Sequence, residues 1–162
     1  MARGDTRARI HTVSMSLYAH NAQASLADWI FSKTLSRFPK LKIAYAESQV
    51  GWMPFQLERM DSVWRDGVGG VEMPVAPSQQ VKGHVWNCIF DDLHGLKARH
   101  EYSIDSILFE TDYPHSDGTF PHSRKIAHEL FSQADMTAEE CYKVLRGNAI
   151  TCYGLERFGI TK

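Results

Sequence analysis

Twice in this chain a short apolar run closes on a carboxylate and is followed by a helix that a proline opens. Ile107, Leu108 and Phe109 run into Glu110, Thr111 and Asp112, with Pro121 beyond; LKIAYAES, residues 41–48, runs into Glu47, with Pro54 beyond. Apolar runs of this length, bounded by polar and turn residues, read as buried strands. Proline is tolerated at a helix start because the N–H it lacks has no partner there. A third strand, VWNCIF over 85–90, ends at Asp91 and Asp92. Strands joined by helices run parallel, so the three carboxylate-bearing ends reach one rim. The pattern predicts an α/β fold whose chemistry lies at the strand C-termini, where α/β barrels place theirs.

Each acid has a plain structural reading beside the chemical one. Asp112 reads as a site carboxylate or as a turn-capping one with His115 on the surface. Glu47 reads as a substrate-orienting or acid/base group, or as a hydrogen-bonded structural carboxylate. Asp91 and Asp92 face the rim or cap the next helix, and the cap is favoured.

Around the strands, Asn21 is the expected N-cap of a helix whose stripe is Ala22, Leu26, Trp29, Ile30 and Phe38, stopped by Pro39. Phe55, Leu57, Met60, Val63 and Trp64 mark the helix after Pro54, and residues 67–80 form a loop rich in glycine and proline. Thr137 to Glu140 form a capping box ahead of inward-facing Cys141, Val144 and Leu145. Residues 1–20 show no apolar period and are expected to be a loop or arm, with His11 and His20 solvated.

With 18 basic and 19 acidic side chains and no basic block, the sequence suggests neither nucleic acid nor a membrane as partner. No apolar run approaches the ~20 residues a bilayer span needs, and the polar start reads as no signal peptide. Three cysteines without C-x-x-C spacing, Cys88, Cys141 and Cys152, fit a reducing, cytoplasmic setting.

The stretches ILFETDYPHSDGTFP and RFPKLKIAYAESQVGWMPFQLERMD, with RGNAITCYGL near the end, resemble amidohydrolase family 2. This is the branch of the metal-dependent amidohydrolase superfamily that includes aminocarboxymuconate-semialdehyde decarboxylase. The resemblance covers about residues 21–155. It implies an α/β fold equivalent to the C-terminal part, about strands six to eight, of a TIM (β/α)8 barrel, over residues 21–162. At 162 residues the chain is shorter than the ~250 of a whole barrel.

The resemblance also implies roles. Asp112 corresponds to the Asp that ligates the metal or transfers protons after strand eight, and His115, Tyr113, Glu47 and Trp52 would shape the substrate pocket. The implied cofactor is a divalent metal, zinc foremost. Glu47 stands where the decarboxylases carry a His, which weakens decarboxylation, since an ordinary Glu titrates near ~4.3 rather than near neutrality. The family's His-x-His from strand one and His from strand five have no counterpart, so of its ligands Asp112 alone remains. His84, His94, His100, His122 and His128 show no ligand spacing.

The expected activity is metal-dependent hydrolysis or decarboxylation of a small carboxylate or amide-like substrate. The competing expectation is a non-catalytic half-barrel that self-associates as a homo-oligomer, because three parallel strands alone leave two edges open. An unrelated α/β binding domain is the third.

Overall fold

In the computed structural model, which describes residues 3–161, β1 (Ile43–Tyr45), β2 (Val85–Ile89) and β3 (Ile107–Phe109) form a parallel sheet in the order β1-β2-β3. Ile43 lies opposite Val85, Asn87 opposite Ile107 and Ile89 opposite Phe109. Three helices precede the sheet: α1 (Arg3–Leu17), α2 (Ala19–Phe31) and α3 (Thr34–Arg37). α4 (Met53–Arg65) and α5 (Pro77–Gln80) join β1 to β2, and α6 (Leu93–Lys97) and α7 (Arg99–Tyr102) join β2 to β3. After β3 come α8 (Ser123–Gln133), α9 (Ala138–Tyr142), a π-helical turn over Lys143–Gly147, and α10 (Asn148–Tyr153).

Every residue of β2 is buried, Asn87 included, as expected of a central strand covered on both faces. Because side chains alternate along a strand, Val85, Ile89 and Ile107 join the main core with Leu26, Ile30, Leu57 and Leu130. Trp86, Cys88 and Leu108 face the other way and pack with Cys152 of α10. Asn148 ties the C-terminal helix to β3, its side-chain amide donating to the carbonyls of Ile104 (2.7 Å) and Ile107 (2.8 Å).

The structure corrects several expectations. Residues 3–17 of the expected loop are helix α1, while Met1 and Ala2 lie outside the described residues. Ile10, Val13 and Leu17 on it are exposed, and Thr12, Ser14 and Ser16 donate to carbonyls four residues back. Residues 7–17 of α1 are all exposed, so this part of the helix shows no 3.6-residue period to read. Asn21 lies inside α2, whose cap is Tyr18. Lys33 turns left-handed (φ 62) after α2, so Phe38 departs from its stripe and is 53% exposed.

The strand expected over 41–48 shrinks to Ile43–Tyr45, with Ala44 exposed, because β1 is an edge strand paired on one side. Phe55 is exposed on α4. α8 begins at Ser123, two residues beyond Pro121. Leu145 is exposed while Val144 is buried, since the wider π-helical turn shifts which side chains face the core. Thr137 and Glu140 form the capping box that the sequence predicts. Among the described residues no helix is long and apolar enough to cross a membrane.

Candidate metal centre

The first two residues past β1 bring the chain to Glu47, and the first three past β3 bring it to Asp112. These strands are separated by β2, about 9–10 Å apart at two strand spacings. Side chains close that gap. Glu47, Asp112 and His115 each offer a ligating atom within 4.8 Å of the other two. His115 Nδ1 lies 2.7 Å from Asp112 Oδ1 and 3.7 Å from Glu47 Oε1. The Asp112 side chain is 7% exposed, against 62% for His115 and 43% for Glu47.

Both carboxylate residues have left-handed backbones, Glu47 at φ 53 and Asp112 at φ 53, which non-glycine residues rarely adopt. Surrounding bonds hold them there. Glu110 Oε1 accepts the Glu47 N–H at 2.6 Å. The loop after Asp112 folds back on it: the His115 N–H donates to the Asp112 carbonyl (2.8 Å) and the Thr119 N–H to that of Thr111 (2.9 Å). Gly118 makes this closure possible, since a Cβ there would sit 2.7 Å from the Thr111 oxygen and 2.8 Å from that of Asp112.

The segment after Glu47 is held from β2. The Asp92 carboxylate accepts N–H groups of Val50 (2.6 Å), Gly51 (2.7 Å) and Gly95 (2.7 Å), so the favoured cap also anchors the loop. Asn87 donates to the Ser48 hydroxyl (2.8 Å).

The electrostatics follow from this crowding. The hydrogen bond to Asp112 and the charges of Asp112 and Glu47 raise the His115 pKa. Burial raises that of Glu110, opposed by its bond to the Glu47 N–H and reinforced by Asp112 and Glu47. The Tyr18 hydroxyl is buried and makes no close hydrogen bond among the described residues; burial pushes its pKa up to about 12, opposed by the nearby Gln49 side chain. Tyr18, Asn21, Tyr45, Glu47 and Ser48 line a cavity of about 380 Å³ beside the triad. An apolar hollow of about 540 Å³, lined by Phe109, Ala127, Phe131 and Leu145, carries no carboxylate.

Of the residues that the sequence singles out, Glu47, Asp112 and His115 meet. Trp52 donates its indole N–H to the Ser48 carbonyl (2.8 Å) and packs on the core, supporting the loop. Tyr113 is 65% exposed and meets Phe120 edge-on at 4.6 Å. Sequence reading misses Glu110 and Tyr18. Alternation continued from β3 places Glu110 on the face of Leu108, a signal available beforehand, whereas Tyr18 sits in a stretch without period.

Two carboxylates and an imidazole converging on one point are a donor set suited to a divalent cation with positions left open. The amidohydrolase family model matches residues 5–155, so it extends through most of α1. No curated protein matches the sequence. Among solved structures, an amidohydrolase from Mycobacterium avium subsp. paratuberculosis K-10 is similar at a TM-score of 0.66 and 21% identity. The match covers 82% of this chain and 33% of that one, so the chain spans about a third of that protein's length.

Proposed function

Since this chain belongs to the amidohydrolase family, we propose that it forms about strands six to eight of a (β/α)8 barrel and serves metal-dependent hydrolysis of a small carboxylate or amide-like substrate. The observation that carries this reading is the convergence of Glu47, Asp112 and His115 on one point at the strand C-termini. These three residues would hold the cation, zinc foremost among candidates. When bound, it supplies Lewis-acid activation of water or of a substrate carbonyl.

The chain's own residues supply the rest. Asp112 orients the His115 imidazole through Nδ1 and, as the more buried of the two carboxylates, is placed to take a proton from the attacking water. Glu47 orients substrate at the cavity mouth, and Tyr18 offers a donor from its wall. Hydrolysis is preferred to decarboxylation because a carboxylate, Glu47, stands where the decarboxylases carry histidine. Three free cysteines suit a reducing, cytoplasmic setting.

One observation favours a second reading, a half-barrel that self-associates without catalysis. β1 pairs on one side only, and its exposed Ala44 faces no strand among the described residues. Metal content by elemental analysis, with oligomeric mass by light scattering on the same sample, separates the two. Metal near one equivalent per chain, lost in Asp112→Ala, supports the enzymatic reading. A metal-free oligomer refutes it and supports the second.

A further inference from the structure

We propose that Glu110 is a positioning residue of this centre, holding the Glu47 backbone so that the Glu47 carboxylate points at Asp112 and His115. The inference rests on the reading that these three side chains take a divalent cation. Glu110 Oε1 accepts the Glu47 N–H at 2.6 Å, and that N–H has no other partner among the described residues. The bond crosses the end of β2, tying the segment after β1 to β3. It falls on a non-glycine residue at φ 53, a conformation that persists only where its surroundings enforce it.

The rest of the loop is fixed without Glu110. The Gln49 N–H donates to the Cys88 carbonyl (3.1 Å), and the Val50 and Gly51 N–H groups donate to Asp92. Glu47 alone depends on β3. Its side chain is half-exposed, so its direction follows largely from the backbone that Glu110 holds. Glu110 itself is outside the triad and acts through Glu47.

Glu110 also carries charge, which would attract a cation wherever Glu47 pointed. Replacement by glutamine separates the two effects, since an amide oxygen still accepts an N–H without the charge. The experiment uses the full chain, with cobalt(II) as probe, reading affinity and visible absorption, and with hydrogen exchange of the Glu47 amide measured by NMR.

Glu110→Ala is expected to weaken cobalt binding about 10–100-fold and to change the cobalt spectrum. The same variant speeds Glu47 amide exchange, while Glu110→Gln stays near wild type in both. In a Glu47→Ala background, Glu110→Ala should add no further loss of affinity. An unchanged Glu47 amide in Glu110→Ala overturns the proposal. So does a Glu110→Gln variant as weak as Glu110→Ala, which would assign the effect to charge. If wild type takes up no cobalt, the metal reading fails, and the exchange data still decide whether Glu110 holds Glu47.

Discussion

Asp92 is the acceptor for three backbone N–H groups, of Val50, Gly51 and Gly95, at 2.6–2.7 Å. Asp92→Ala removes all three bonds. Bonds to a charged acceptor contribute about 1.5–3 kcal/mol each, and leaving a buried N–H unpaired costs about 1–3 kcal/mol. Val50 is 1% exposed, so water does not readily replace the lost acceptor there. Losing the cap of α6 costs about 1 kcal/mol. The bonds share one carboxylate and are not additive, which gives a total of about 4 kcal/mol. That is a large part of the stability of an ordinary domain. Asp92→Asn keeps a good cap and one acceptor oxygen, so it should cost about 2 kcal/mol. Urea unfolding followed by tryptophan fluorescence measures both, with an unchanged slope showing that stability alone has moved. A loss below about 1 kcal/mol for Asp92→Ala would contradict this account, because the three amides would then have found other partners.

Two further outcomes follow from the structure. The Arg99 guanidinium, 2.7 Å from Glu140, holds that carboxyl at about 2 rather than 4.5, so its stabilisation is present above pH 4.5 and is lost as pH falls toward 2. Between pH 5.5 and pH 3, wild type should lose about 1–2 kcal/mol more than Glu140→Gln, allowing for water at the rim of the pair; equal losses in urea titrations would contradict the assignment. Gly118→Ala drives a methyl against the Thr111 and Asp112 carbonyls and should open the loop that fixes Asp112. Calorimetric titration with cobalt should show affinity reduced about tenfold or more, and unchanged affinity would show that this closure does not set the centre.

Local rules made much of this molecule legible. β2 and β3 appear where short apolar runs meet turn residues, and Thr137 with Glu140 caps α9 because both partners lie within one turn. Asp92 caps α6 for the same reason. α1 escaped notice because its residues 7–17 are all exposed, and Leu145 because a π-helical turn shifts a face that ordinary periodicity assigns. The contraction of β1 reflects its place at the sheet edge, which is a property of the assembled sheet.

That carboxylates stand at the ends of parallel strands is written locally, since the apolar runs and the turn residues beyond Glu47 and Asp112 lie within a few positions of one another. That Glu47 reaches Asp112 and His115 is a property of the assembled sheet, because Glu47 and Asp112 follow strands separated by β2, whereas Asp112 and His115 are three positions apart in one loop. Their approach depends on the Glu110 clamp, the Asp92 anchor and the close packing at Gly118. Those bonds join residues more than 40 positions apart or bend the backbone to φ values that no propensity favours. Long-range contacts of this kind are specified by the packing of the whole sheet, and no short window of sequence contains them.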